Sequence, residues 1–248
     1  MRYKLLLTIM CVMGIAGVGV VYLGYYAQFI KMQTLRTAPL GEPLARSTML
    51  PDNPHVIMLG DSRLAMWPDL KGGAFASMPN TPLSLPVENR ALGGTTSSQT
   101  LLLTHRLPWS STVKHTVLIE SGINDLHWLG GASTDQQKQV LRQLKTNLSA
   151  MTAFLASHGQ NVVLMTVWPP GKVPLIRTPF WAAQTLDWID EINQHIHGLA
   201  SPQIQVWDPA ALLSTPHRQL KNAFVDADFF LHINPQGYQT LRRNITLR

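Results

Sequence analysis

The chain has 248 residues, of which 45% are hydrophobic and 14% are charged, and its formal net charge is +6. This apolar share is enough for a packed core, and the charge density is too low for a disordered chain. The basic residues are scattered without a long run, which excludes the concentrated positive patch typical of nucleic-acid binding. The single cysteine, Cys11, excludes an intrachain disulfide and, for the rest of the chain, a thiolate nucleophile or thiolate metal site.

The first apolar segment, residues 5–30, contains no charged side chain and is long enough at 1.5 Å per residue to cross a bilayer. Tyr22, Tyr25 and Tyr26 lie near its end, where aromatic side chains anchor at a membrane interface. A cleaved signal peptide with a small-residue site near 14–16 is the alternative interpretation. The apolar run continues well past that site, so we predict an uncleaved transmembrane signal-anchor helix.

Basic residues flank the apolar segment almost equally on both sides: Arg2 and Lys4 precede it, and Lys31 and Arg36 follow it. Counting the amino terminus, we expect the N-terminus in the cytoplasm and the rest of the chain on the periplasmic, or extracytoplasmic, side of the inner membrane. Residues 31–54 contain four prolines and are predicted to be a linker.

Short segments rich in Val, Ile and Leu then alternate with longer helical patterns. The segments are apolar on both faces, as in a parallel sheet that helices cover on both sides. The predicted strands are 55–59, 115–121, 161–168 and 204–208, with 85–89 as a weaker candidate, and the predicted helices are 96–105, 134–157, 180–199 and 235–245.

This alternation predicts one doubly wound α/β domain over residues 55–248. Ligands bind such sheets at the carboxyl ends of the strands, so the loops that follow the strands are the places to search. Three polar clusters fall there, at Gly60-Asp61-Ser62, 89–97 and 120–128. A fourth, 226–238, precedes the last helix and is predicted at the same edge of the sheet.

Together the clusters contain the groups that an acyl-transfer site needs. Ser62 places a hydroxyl, and a backbone N–H, at a strand-to-helix turn, and His232 is a candidate base that could reach that hydroxyl. The Gly94 backbone N–H and the Asn124 side-chain amide supply further donors for a tetrahedral oxyanion. Capping of the following helix is the alternative interpretation of Ser62.

These residues resemble the SGNH, or GDSL-type, hydrolases, whose four blocks occur here in order. The matching positions are Gly60-Asp61-Ser62, Gly94, Gly122-x-Asn124-Asp125 and His232. The surroundings "NRALGGTT" and "HINPQGY" are most similar to the single-domain members related to platelet-activating-factor acetylhydrolase and to carbohydrate acetylesterases.

The resemblance implies a flavodoxin-like three-layer α/β/α fold with a central parallel sheet, and neither a metal nor a cofactor. It implies that Ser62 is the nucleophile and His232 the base. The backbone N–H groups of Ser62 and Gly94 and the amide of Asn124 would form the oxyanion hole.

The chain departs from the family pattern at two positions. Where the family usually has Leu after the serine, this chain has Arg63, which we expect to turn outward toward a substrate anion. The family places an Asp three residues before the histidine, where this chain has Phe229. We expect Asp228 to orient His232 through a one-residue loop extension, and Asp226, a backbone carbonyl or no acid remain alternatives.

Three further side chains are candidates to line a substrate pocket, with loop packing as the alternative. They are His127 and Trp128, which follow the third predicted strand, and Trp168, at the end of the fourth. The remaining histidines show no paired metal-ligand spacing.

The sequence therefore predicts a serine esterase that removes a small acyl group, such as acetyl, from a glycan or related envelope substrate. The alternatives are a lipid or lysophospholipid esterase, an O-acyltransferase that acts on an envelope polysaccharide, and a non-catalytic accessory protein of polysaccharide assembly. The expected partners are the ester substrate and the membrane, with no nucleic acid.

Overall fold

The computed structural model describes residues 2–35, 49–67, 85–175, 178, 181–227 and 230–245. A first helix, α1, covers Arg2–Leu35 and continues beyond the predicted end at residue 30. It is the one helix of the described ranges that is long and apolar enough to cross a membrane, over Leu7–Gly24. Most of the predicted linker lies outside the described residues.

The second part of the chain forms a five-stranded parallel sheet with the order β2-β1-β3-β4-β5. This order is that of a flavodoxin-like doubly wound sheet, so the predicted fold class is confirmed. The strands are β1 Val56–Gly60, β2 Val87–Asn89, β3 Thr116–Glu120, β4 Asn161–Met165 and β5 Ile204–Trp207.

Helices follow each strand. The four long predicted helices are present with ends shifted by at most a few residues, apart from α6, which begins five residues later than predicted. The helices are α2 Ser62–Ala65, α3 Ser97–Arg106, α4 Ile123–Leu126, α5 Thr134–Ser157, α6 Thr185–Gly198, α7 Pro209–Leu213 and α8 Pro235–Asn244.

The sheet is buried on both faces because its side chains alternate between two hydrophobic clusters. In β1, Ile57 and Leu59 face the cluster that α3, α5 and α6 complete, whereas Val56 and Met58 face the cluster under α8. Burial on both faces explains why the strands are continuously apolar.

The fourth strand ends at Met165, three residues before the predicted end. The chain continues through Trp168 into Pro169 and Pro170, which have no backbone N–H to donate to a sheet ladder. This early end turns the chain away at the edge where the polar clusters lie.

Candidate active site

The first strand ends on a glycine because the neighbouring strand leaves no room for a side chain. Gly60 pairs with Glu120 of β3, and its φ is +155°. A Cβ at this position would lie 1.9 Å from the Glu120 carbonyl oxygen. The glycine therefore allows β1 to stay paired with β3 up to the residue before Asp61.

The serine and histidine predicted from the sequence lie side by side. The Asp61 side chain caps the short helix α2 by accepting a 2.9 Å hydrogen bond from the Arg63 backbone N–H. Ser62 is the first residue of that helix, and its Oγ lies 2.8 Å from His232 Nε2. Capping thus falls to Asp61, which leaves the Ser62 hydroxyl for the histidine.

His232 lies on a loop that is held at its C-terminal side. The next residue, Ile233, forms an antiparallel bridge with Val225. Asn234 caps α8 by accepting from the Gly237 N–H at 3.0 Å, and its amide donates to the Ala223 carbonyl at 2.8 Å. These bonds fix the chain immediately after the imidazole.

The pKa of His232 is lowered by burial and, second, by the positive charge of Arg63. Asp226 acts in the opposite direction and raises the pKa. The net lowering favours the neutral imidazole, which is the form that accepts a proton. Asp228, predicted to orient this ring, lies outside the described residues.

Hydrogen bonds connect the loop that carries Gly94 with the loop that carries Asn124, close to Ser62. Thr95 Oγ1 donates to the Gly60 carbonyl at 3.0 Å, and the Asn124 side-chain amide donates to the Thr95 carbonyl at 2.9 Å. Gly94 has a φ of +77°, a backbone conformation that glycine adopts without strain. Gly94 and Asn124 therefore belong to one hydrogen-bonded loop pair.

Asp125 connects this pair of loops to the start of α3. Its carboxylate accepts hydrogen bonds from the Ser97 N–H at 2.9 Å and the Ser97 hydroxyl at 2.8 Å. Asn147 of α5 donates to the same hydroxyl at 2.9 Å. Asp125 is 3% exposed, so water is excluded from these hydrogen bonds. The low local dielectric constant strengthens them, and they fix the start of α3.

Three ionisable side chains are buried together beneath the serine: Asp61, Arg63 and Glu120, each 0% exposed. Burial raises the pKa of Asp61 to about 6 and raises the pKa of Glu120 well above its usual value, while it lowers the pKa of Arg63. The two carboxyl groups also act on each other electrostatically, and the negative charge of Asp61 adds to burial in raising the pKa of Glu120. The raised pKa favours the protonated form of the Glu120 carboxyl.

Sequence reasoning missed this cluster, although a signal for it was present. Glu120 closes an otherwise apolar strand, and Arg63 occupies a position where an apolar residue is usual. Buried charges are normally paired, so a glutamate at the end of β3 and an arginine just after the neighbouring strand β1 indicate a buried pair.

The predictions for Arg63 and Trp168 as pocket residues are wrong. Both side chains are 0% exposed, and the guanidinium carbon of Arg63 lies 4.6 Å from the centre of the Trp168 ring. The Arg63 side chain points inward because its guanidinium donates hydrogen bonds to two backbone carbonyls there and interacts electrostatically with two carboxyl groups. It does not reach a substrate anion.

His127 and Trp128 pack against each other with ring centres 4.7 Å apart. His127 is 7% exposed, and its Nδ1 lies 3.0 Å from the Ile123 carbonyl oxygen, whereas Trp128 is half-buried. Trp128 keeps more surface to offer a ligand. Within the described residues, no group of three His, Cys, Asp or Glu side chains could hold a metal ion.

A family comparison agrees with this arrangement. A model of the GDSL-like lipase/acylhydrolase family matches residues 58–240, which include every described residue of the site. The chain belongs to this family. A search of curated proteins found no significant match.

Solved structures with the same fold include GDSL-type proteins of low sequence identity. A Streptococcus pneumonia protein, assigned provisionally as a platelet activating factor, has a TM-score of 0.59 and 20% identity over 91% of this chain and 94% of its own. A GDSL-like lipase from Bacteroides thetaiotaomicron has a TM-score of 0.57 and 18% identity over 88% and 94%. An acetyl xylan esterase has a TM-score of 0.54 and 16% identity over 76% and 96%. At these identities the similarity establishes the shared fold.

Proposed function

We propose that this GDSL-family chain is a serine esterase that hydrolyses a carboxylic ester through an acyl-serine at Ser62. The observation that carries the proposal is the 2.8 Å contact between Ser62 Oγ and His232 Nε2. A hydroxyl at this distance from a neutral imidazole is an activated nucleophile.

In the proposed first step, Ser62 Oγ forms a bond to the ester carbon while His232 takes the hydroxyl proton. The tetrahedral intermediate then breaks its bond to the alcohol oxygen, and His232 returns the proton to that oxygen. In the second step, water adds to the acyl carbon, His232 takes a proton from the water, and the serine leaves with that proton. The carboxylic acid and free Ser62 result.

We assign the oxyanion site to the N–H groups of Ser62 and Gly94 and to the Asn124 amide. The Asn124 nitrogen carries two hydrogens, and the bond to Thr95 uses one of them. The other hydrogen remains to stabilise the negative oxygen, and removal of one such donor typically lowers kcat by about 10²–10³-fold.

We propose that the imidazole is supported by an acidic side chain of the 226–228 segment. The effect of Asp226 on the His232 pKa supports its participation. Asp228, the first choice from the sequence, is the other candidate.

We propose a small acyl group on a glycan as the ester, and the fold shared with an acetyl xylan esterase supports this substrate class. A lipid ester is the second candidate because α1 is long and apolar enough to hold the site near a bilayer. We propose that α1 is a single-pass anchor of the inner membrane, with the site on the extracytoplasmic side.

A fluorophosphonate probe tests the catalytic proposal on the full-length protein in mild detergent. The intact chain should be labelled at Ser62, and Ser62→Ala should not be. Ser157→Ala is the matched control, because Ser157 is exposed at the end of α5, and it should be labelled like the intact chain. Equal labelling of Ser62→Ala, or no labelling of the intact chain, would contradict the proposal.

The substrate class is tested by comparing p-nitrophenyl acetate with the decanoate and by measuring acetate released from an acetylated glycan. A preference for acetyl and release of acetate to water support the glycan esterase. A preference for the decanoate supports the lipid esterase, and transfer of acetyl to a second glycan would replace hydrolysis by acyl transfer.

A further inference from the structure

The Arg63 side chain connects the nucleophile to the segment that carries the histidine. Its Nε donates to the Leu231 carbonyl at 3.0 Å, and its Nη1 donates to the Trp168 carbonyl at 2.8 Å. Ser62 precedes Arg63 in the chain, and His232 follows Leu231. One guanidinium therefore fixes the main chain next to both members of the proposed pair.

The backbone of the same residue is held as well. The Arg63 N–H donates to Asp61, and the Arg63 carbonyl accepts the Tyr238 hydroxyl of α8 at 2.9 Å. Burial raises the pKa of Tyr238, so its hydroxyl keeps the proton that this bond requires. Arg63 is thereby anchored to the helix that follows His232.

A buried arginine needs compensating charge, and the neighbouring carboxyl groups provide it. Arg63 Nη1 lies 3.6 Å from Glu120 Oε1, and Asp61 also acts on Arg63 electrostatically. Both carboxyl groups act on Arg63 in the direction that favours its charged form. A cation that is compensated in this way can stay buried where an unpaired cation could not.

We propose that Arg63 is a positioning residue for the Ser62–His232 pair, holding the Leu231 carbonyl so that the imidazole stays beside the serine hydroxyl. This inference rests on the proposed esterase function. The planar fork of arginine suits the role because two of its nitrogens reach two carbonyls in fixed directions. It replaces an apolar contact at this motif position with directed bonds to the histidine loop.

A purely structural arginine and a positioning arginine differ in what their removal changes. Loss of packing alone lowers stability and leaves the chemistry of the remaining folded molecules intact. Loss of positioning lowers kcat in folded protein, and a displacement of about 1 Å costs about 100-fold. It also changes the charge near His232, whose pKa the Arg63 cation lowers and Asp226 raises.

The test compares Arg63→Met and Arg63→Lys in the full-length protein. For Arg63→Met we expect kcat for p-nitrophenyl acetate to fall about 100-fold with KM within about twofold. The acid limb of the pH profile should move to higher pH, because removal of the cation raises the pKa of His232. Arg63→Lys keeps the charge, so it should keep the acid limb and recover part of kcat.

Two further variants keep the test decisive if Arg63→Met does not fold. Asp61→Asn with Arg63→Met removes both charges and retains an oxygen that can cap α2, and we expect it to fold and to keep the low kcat. Arg218→Met removes an exposed arginine paired with Asp187 and Asp190, and it should leave kcat and the pH profile unchanged. Wild-type kcat and an unmoved acid limb in a folded Arg63 variant would overturn the proposal, as would a change in KM alone.

An NMR titration of ¹⁵N-labelled histidine separates this inference from the esterase proposal. The His232 signal, identified by its loss in His232→Gln, should titrate at higher pH in Arg63→Met than in the intact chain. This shift does not depend on turnover. If the fluorophosphonate probe does not label Ser62 but the His232 titration shifts, the esterase proposal alone is refuted. If Ser62 is labelled but the His232 titration does not shift, the proposed role of Arg63 is refuted.

Discussion

Replacement of Glu120 by Gln should change how the stability of the protein depends on pH. In the folded protein the Glu120 carboxyl is fully buried against Asp61, and burial raises its pKa well above the usual value. In the unfolded chain the pKa of a glutamate is about 4.3. At neutral pH the folded state therefore holds a proton that the unfolded state has released.

The sign and size of the effect follow from this difference. A folded state that binds one more proton loses about 1.4 kcal/mol of unfolding free energy for each unit by which pH rises. The loss begins above the unfolded pKa and ends at the folded one. A glutamine at this position would have no proton to lose, and its neutral amide has nearly the same size as the carboxyl group. The stability of Glu120→Gln relative to the intact chain should therefore rise by about 1.4 kcal/mol per pH unit in this window.

The assay is urea unfolding of the full-length protein in mild detergent, followed by tryptophan fluorescence at several values from pH 5 to pH 8. Glu191→Gln, at an exposed residue of α6, controls for the loss of one carboxylate from the net charge. A difference between Glu120→Gln and the intact chain that stays constant with pH would show that Glu120 is ionised when folded. It would refute the protonated state of Glu120 in the folded protein.

Three other results are expected. Gly60→Ala should lower the free energy of unfolding in urea by about 3–5 kcal/mol, because the new Cβ meets the β3 backbone. Gly159→Ala, which has open space at a φ of +76°, should lower it by about 1 kcal/mol, and equal losses would contradict the steric argument. Asp125→Ala leaves the buried start of α3 without its acceptor and should cost about 3 kcal/mol in the same assay, with a lower kcat; unchanged stability would show that the two bonds contribute nothing. The acid limb of kcat/KM should lie below the usual histidine range because burial lowers the pKa of His232, and a limb above that range would contradict it.

The local elements follow closely from the sequence. Ser133 and Gln136 form the capping box that starts α5, and Asn234 with Pro235 starts α8, as their residue types predict. The continuous apolar strands indicate a sheet buried on both faces, and that sheet brings the polar loops to one edge. Ser62 lies just after β1, and His232 lies just before α8. Both positions are at that edge of the sheet, so the two side chains meet there.

The direction of a single side chain in that edge does not follow from the sequence. Arg63 lies in a helix of four residues, where no periodicity distinguishes an inward from an outward position. Its partners are the Trp168 and Leu231 carbonyls, 105 and 168 residues away along the chain. The sequence by itself determined the family, the sheet and the serine–histidine pairing, because these depend on local patterns and on strand order. Only the tertiary structure decided that Arg63 and Glu120 are buried together, because the charge state of a buried group depends on neighbours that the folded chain alone assembles.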